Sequence, residues 1–414
     1  MSAPESLATA CCVVGGGPAG MMAGFLLARA GIEVVVLEKH ADFFRDFRGD
    51  TIHPSTLELM HELGFLEEFL QVRHQQLAQV QVNVAGAGFV VADFSHLPTH
   101  CKFIAFMPQW DFLSFLVEQA KKYPSFRLRM GAEATDLIRT GDRVTGVTFR
   151  TAQGEGEVRA GLVLAADGRG SILRERAGLA VMDFNVPIDV LWLRLAKGPA
   201  APSQTLGYID DRRFMVLLDR EDYYQCGYII RKGTFDAIRQ GGLPAFRADL
   251  VQLAPFLREA VEEVADWNEV KLLTVKIDRL TRWHVPGLLC IGDSAHAMSP
   301  AGGVGINLAI QDAVAATNLL APAFGRGEIG ENLLRRVQRR REFPARVIQA
   351  LQVFVHHRMF PAGPRPLSPP RPAGSVPWPA KLLRLFPFLR RIPGRLIGLG
   401  VRPEHIRSQP AAGT

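Results

Sequence analysis

The stretch Thr9-Ala10-Cys11-Cys12-Val13-Val14-Gly15-Gly16-Gly17-Pro18-Ala19-Gly20 decides the fold. It continues through an apolar helical pattern to Ala30-Gly31, and then through Ile32-Glu33-Val34-Val35-Val36-Leu37-Glu38. Strand, glycine turn, helix, strand and acid follow one another within about 30 residues, the spacing of a dinucleotide-binding unit. Gly15 permits the tight turn, and Gly17 lets the backbone approach a pyrophosphate with no Cβ in the way. Gly20 lets the helix lie close on the strand, and Gly24 extends that contact by one turn. The helix that Pro18 and Ala19 begin offers free N–H groups and partial positive charge to the phosphates. Glu38, at the carboxyl end of the second strand, is placed to accept hydrogen bonds from a ribose diol. A glycine turn alone is often merely structural; both strands, the helix and the acid carry the reading together.

The remaining sequence bounds the answer. A chain of 414 residues is long enough for two or three domains. Hydrophobic residues make up 48% and charged residues 21%, an ordinary globular balance. No uninterrupted apolar run reaches membrane-span length, and the first apolar run enters the glycine turn directly, so it reads as a core strand and not a signal peptide. Cys11, Cys12, Cys101, Cys226 and Cys290 are scattered, without metal-ligand spacing; reduced thiols, no metal site and a cytoplasmic location are the expectation. From Glu331 onward 16 Lys and Arg face 3 acids, a net +13, which leaves the rest of the chain at −6. The basicity therefore belongs to the tail, and the body gives no sign of nucleic-acid binding.

Two later motifs join the first. Leu162-Val163-Leu164-Ala165-Ala166-Asp167-Gly168-Arg169-Gly170-Ser171 is a buried strand ending in an acid and a glycine, followed by Leu173-Arg174. Asp167 there is either a helix cap or, at the carboxyl end of a parallel strand, a ligand contact. Gly287–Cys290 leads to Ile291-Gly292-Asp293-Ser294-Ala295-His296. After this come Pro300-Ala301-Gly302-Gly303-Val304-Gly305-Ile306-Asn307 and a small-residue helix, Leu308–Leu320. The proline and glycines offer exposed N–H groups and close backbone approach to a planar or anionic ligand. His296 is either a ligand contact or, the blander reading, a packed loop residue.

Between these motifs, a helix is expected to start at Ser55 or Thr56, with Arg48 before it as a diphosphate or ribose contact or a surface residue. Residues 77–94 alternate as a hairpin. Residues 188–275 alternate as strands, interrupted by a helical stretch Leu243–Leu257, and hold four of the five tyrosines. Arg335–Arg341 reads as a solvated basic helix, and residues 361–379, with eight prolines, as an extended linker. The apolar, arginine-studded end from Lys381 reads as a segment docked on the body or lying on an anionic membrane surface.

Together the Gly15–Gly20 turn with Glu38, Asp167-Gly168 with Ser171 and Arg174, and Gly292-Asp293 with Pro300–Asn307 resemble the single-component, class A flavoprotein aromatic monooxygenases with the p-hydroxybenzoate hydroxylase fold. The resemblance spans about residues 8–320. It implies an α/β fold: a Rossmann-like FAD-binding domain with an inserted mixed β-sheet substrate domain and a helical C-terminal region. The corresponding boundaries are 1–76, 100–180 and 277–330 for the FAD-binding domain, 77–99 and 181–276 for the substrate domain, and 331–414 for the basic, Pro-rich end. The implied FAD contacts are Gly15, Gly17, Pro18, Ala19, Gly20, Glu38, Lys39, Arg48, Gln109, Asp167, Gly168, Gly292, Asp293, Pro300, Gly302, Gly303, Val304, Gly305, Ile306 and Asn307. Glu38 would bind the adenosine ribose, Asp293 the ribityl chain, and the Pro300–Asn307 loop the flavin ring.

In such enzymes NAD(P)H reduces FAD, oxygen adds at flavin C4a, and the hydroperoxide oxygenates an activated, usually phenolic, ring. The implied partners are a small aromatic substrate and O2. The protein's share is to exclude water and orient the ring, with His53, Tyr223, Tyr224 and Arg231 as candidate phenol-side groups. One departure stands out: many members carry glutamine where this chain has Val304, which removes a side-chain contact but not a backbone one. The tryptophan motif of the related flavin halogenases is absent. The alternatives are a flavin-dependent reductase acting on an isoprenoid-like substrate, and a non-catalytic binding protein on the same scaffold.

Overall fold

Cys11–Val14 and Val34–Glu38 are buried along their whole length, as parallel strands covered on both faces must be, whereas Glu5–Ala10 of the first strand alternates between exposed and half-buried. The computed structural model describes residues 5–44, 51–84, 86–198, 205–210, 213–220, 222–327, 329–361 and 378–411. Its principal sheet has eight strands. The main path runs His284–Val285, Leu288–Cys290, Gly154–Ala165, Glu5–Val14, Val34–Glu38, Phe126–Met130, all parallel after the first pair. The chain moves outward from Glu5–Val14 on one side and returns to pair Gly154–Ala165 on its other side. That reversal is the topological switch point at which open α/β sheets bind ligands.

The Pro18–Arg29 helix is apolar nearly all round because it lies between this sheet and the helices Gln109–Lys121 and Val304–Phe324. A Cβ at Gly20 would sit 1.8 Å from the Gly15 carbonyl oxygen, and one at Gly24 would sit 2.7 Å from Val36 Cγ2. Val304–Phe324 belongs, among the described residues, to the one helix long and apolar enough to cross a membrane, but 78% of its most apolar window is buried inside the protein.

A seven-stranded sheet takes Gln79–Val84 and Ala87–Asp93 from the early hairpin and Ile188–Ala196, Thr205–Ile209, Phe214–Asp219, Tyr223–Arg231 and Lys271–Thr274 from the middle of the chain. One face carries Leu191, Leu193, Met215, Leu217, Tyr208, Tyr224 and Tyr228, and packs in a separate core with Phe246, Leu250 and Leu257. The opposite face carries Trp192, Phe214, Val216 and Ile229, beside Val353 and Met359 of the long helix Glu331–Met359.

Several boundaries differ from the sequence expectations. The early helix begins at Pro54 and not at Ser55 or Thr56, because the fixed φ of proline suits the first helical position. Arg143–Thr151 pairs antiparallel with Glu133–Thr140 at the edge of the principal sheet. The basic Arg335–Arg341 helix runs for 29 residues through Pro344. Most of the proline-rich 361–379 stretch lies outside the described residues.

The tail docks. Gly394 lies so close to the strand Ala87–Asp93 that a Cβ would come 2.1 Å from the Asp93 carbonyl oxygen. Beyond it, Ile406 N–H donates to Glu62 Oε2 (2.7 Å), Asn318 Oδ1 accepts from Arg407 and Ser408, and Ala411 N–H reaches the Arg29 carbonyl (2.9 Å).

Candidate cofactor site

The three glycine and acid motifs meet because their strands are neighbours in register. Val14 pairs with Leu37 on one side and Ala165 on the other, and Ala165 pairs with Cys290. Gly15, Glu38, Asp167 and Gly292-Asp293 therefore emerge side by side at the carboxyl edge of four adjacent strands. Gly15 has φ +106°, and a Cβ there would lie 2.3 Å from the Ala166 carbonyl oxygen, so the turn admits only glycine. Gly17 differs: its φ of −74° is ordinary, and a Cβ would meet nothing within 4 Å. It caps a helix that has no side-chain cap, facing open space. A phosphate fits there.

Glu38 is buried. Its Oε2 accepts from Gly16 N–H at 2.8 Å and its Oε1 from His40 N–H at 3.0 Å, so the carboxylate is fixed against the glycine turn. A Cβ at Gly16 would lie 2.9 Å from the Glu38 Cβ. Gly16, given no job by the sequence pattern, is what lets the acid close over the turn. Lys39 is exposed beside it.

Asp167 takes only a secondary part in capping. Ser171 is the true cap of the Ile172–Arg176 helix, accepting from Arg174 N–H at 3.0 Å, while Asp167 Oδ2 takes a longer bond from Leu173 N–H at 3.3 Å. Asp167 Oδ1 is buried and meets no partner among the described residues. Burial pushes this carboxyl above its ordinary value despite the bonds from Ser171 and Leu173. A buried acceptor beside an open cradle is suited to a ligand hydroxyl. Arg169, two residues further along the chain, donates from Nε to Asp293 Oδ2 at 3.0 Å and from Nη2 to the Met298 carbonyl at 3.0 Å, tying the second motif to the third.

The Pro300–Asn307 loop is held by Asn307. Its Oδ1 accepts from His53 N–H (2.9 Å) and Thr56 Oγ1 (2.7 Å), and its Nδ2 donates to the carbonyls of Thr51 and Gly303. Gly303, at φ +63°, leaves room for the Thr51 hydroxyl, which a Cβ would meet at 2.1 Å. The loop thus ends in an uncapped helix start stapled to Thr51–Thr56. Val304 packs with Met298, Leu308, Ala345 and Ile348. The valine side chain thus has apolar partners of its own beside the loop.

A buried charge cluster lies behind the loop. Asp312 Oδ2 accepts from Gly292 N–H (3.0 Å) and His296 Nε2 (2.5 Å), and Asp312 Oδ1 accepts from Arg341 Nε (2.9 Å). Arg341 also bonds Glu404 in the tail at 3.3 Å. All four side chains are within 3% of full burial. Burial alone would raise the Asp312 carboxyl, but His296 and Arg341 outweigh it and hold the group below its ordinary value. His296 is thus a partner of Asp312, and Arg341 is no solvated arginine. Asp312, the one charged residue in Leu308–Leu320, was the only signal, since a buried charge there demands a partner.

The phenol-side candidates scatter. Tyr224 lies in the core under the substrate-sheet helices, on the face away from Trp192, and burial pushes its hydroxyl up to about 12. Tyr223 is on the other face, half-buried under the Arg194 guanidinium. Arg231 donates to the Pro361 carbonyl. His53 is fully buried, and its Nδ1 meets the Ile397 carbonyl at 2.7 Å. A carbonyl only accepts, so Nδ1 carries the proton. Gln109 opens its helix, half-buried, and Arg48 lies outside the described residues.

Residues 8–351 match the model of a family described as FAD binding domain. The chain is 30% identical to 6-methylpretetramide 4-monooxygenase of Streptomyces rimosus over 85% of its own length and 84% of that protein's. It is 28% identical to dialkyldecalin synthase of Streptomyces rugosporus, covering 73% of this chain but only 63% of that one. Among solved structures, anhydrotetracycline hydroxylase from Streptomyces rimosus superposes with a TM-score of 0.71, at 23% identity, over 99% of this chain and 78% of that one.

Proposed function

The chain belongs to the FAD binding domain family, and from that premise we propose that it is an FAD-dependent monooxygenase hydroxylating an aromatic, phenolic or polycyclic small molecule with NAD(P)H and O2. One observation carries the site: four adjacent parallel strands end in Gly15, Glu38, Asp167 and Asp293, around an uncapped helix start with open space at Gly17. When bound, FAD accepts electrons from NAD(P)H and activates O2.

The chain's own residues bind, orient and seclude. The N–H groups of Gly17 and Ala19 would take the pyrophosphate, Glu38 the adenosine ribose, and Asp167 and Asp293 the hydroxyls between them. Pro300–Asn307, clamped by Thr51 and Thr56, gives the flavin ring a rigid backbone platform. The apolar sheet face with Trp192, Phe214 and Val216 walls the ring substrate and keeps water out. No acid–base group is needed beyond a hydrogen bond to the substrate hydroxyl. Five free, buried cysteines support work in the reducing cytoplasm.

The test is a screen of phenols and polycyclic aromatics that reads NAD(P)H oxidation together with peroxide release. A substrate gives fast oxidation with little peroxide. If no aromatic compound accelerates NAD(P)H oxidation by the yellow protein, the proposal fails. One relative is named a synthase and not a monooxygenase; product formation without NAD(P)H would favour that second reading.

A further inference from the structure

We propose that Lys381–Arg395 seats the enzyme on an anionic lipid bilayer. Leu385, Phe386, Phe388 and Ile392 are 72, 46, 59 and 66% exposed, and Leu382 joins them at 39%. They lie in one short run made of the helix Trp378–Leu385, the turn Pro387–Arg390 and the helix Arg391–Gly398. Lys381, Arg384, Arg391 and Arg395 are exposed among them. The sequence holds no acid anywhere between Glu342 and Glu404.

The run is not a loose tail. Gly394 abuts the Asp93 backbone, and a Cβ at Gly398 would come 2.6 Å from Leu97 Cδ1. Leu396 packs with the Met298, Leu308 and Ile348 cluster, and the Ile397 carbonyl meets His53. One face is fixed to the body, and the other presents bulky apolar side chains bordered by cations. Apolar tips that reach the acyl boundary, with lysine and arginine at headgroup level, are the chemistry of an interfacial helix. A two-fold contact with a second copy would set these cations against one another, with no acid to offset them. The surface stands whichever reaction the site performs.

The experiment is flotation of the FAD-loaded full chain with vesicles of phosphatidylcholine alone or with phosphatidylglycerol added. Binding to the anionic vesicles is expected to exceed binding to the neutral ones about tenfold and to weaken as salt rises. Replacing Leu385, Phe388 and Ile392 by serine removes it, while flavin absorbance and melting temperature stay unchanged. Arg384→Glu with Arg391→Glu abolishes the preference for anionic lipid. Absent or charge-independent binding overturns the proposal, as does a triple-serine variant that floats like the parent. So does a parent chain that is a dimer, floats with neither vesicle, and becomes monomeric in the triple variant.

Discussion

Arg169 and Asp293, 124 residues apart, meet through a 3.0 Å bond from Nε to Oδ2. The bond joins the motif after the Gly154–Ala165 strand to the one after Leu288–Cys290, and it fixes one oxygen of the carboxylate expected to face the ribityl chain. Both side chains are about one-third exposed, at 35 and 33%, so solvent screening keeps the contribution small. Arg169→Ala should weaken FAD binding about fivefold, roughly 1 kcal/mol, with little loss of fold stability. Fluorescence titration of the apoprotein with FAD checks this; unchanged affinity would remove Arg169 from the site.

The glycines of the turn should separate by experiment. Gly17→Ala adds a Cβ at an ordinary φ into open space, so the apoprotein should melt normally while FAD affinity falls about tenfold or more. Gly20→Ala drives a Cβ against the Gly15 carbonyl and should cost about 3 kcal/mol of stability or more. Thermal melts beside flavin content distinguish the two.

The Asp312 cluster gives a larger effect. Arg341→Met leaves Asp312 and Glu404 buried without their shared cation, a change expected to cost about 3–5 kcal/mol. Because Asp312 also holds the Gly292 N–H, Asp312→Asn should loosen FAD binding as well as the fold. Urea denaturation of apo- and holoprotein measures both.

Acid should destabilise the protein before its carboxylates protonate. Burial lowers His53 from 6.5 to about 4, against the opposing bond to Ile397, and burial followed by His357 lowers His356 to about 4. Both are neutral when folded at pH 7. Between pH 6.5 and 4 the unfolded chain binds protons that the folded one does not, so stability present above 6.5 is lost as pH falls through that window. His53 alone accounts for about 3 kcal/mol at its lower end. Melting temperature should decline from pH 7 to 5, and His356→Gln, which can still bond Ser299, should make the decline shallower.

The cradle was legible in the sequence because its parts are local: a strand, a glycine, an acid, each readable within ten residues. Their convergence followed from parallel pairing. What was not legible depends on partners far along the chain. Period-two alternation puts Tyr223 and Tyr224 on opposite faces but does not say which face the helices cover. Arg341 is indistinguishable in sequence from its solvated neighbours, and Glu404, 63 residues later, decides its fate. Val304 reads in sequence as a missing glutamine, and the small apolar cluster that its side chain joins draws on Ala345 and Ile348, some forty residues away, which the local pattern does not show.

The most direct measurement is oxygen-isotope incorporation. With FAD, NAD(P)H and an aromatic substrate under 18O2, the product should carry one labelled atom per hydroxylation, with one NAD(P)H consumed for each. Product that forms unlabelled, or forms equally well without oxygen, would contradict a monooxygenase and leave the cradle to other chemistry.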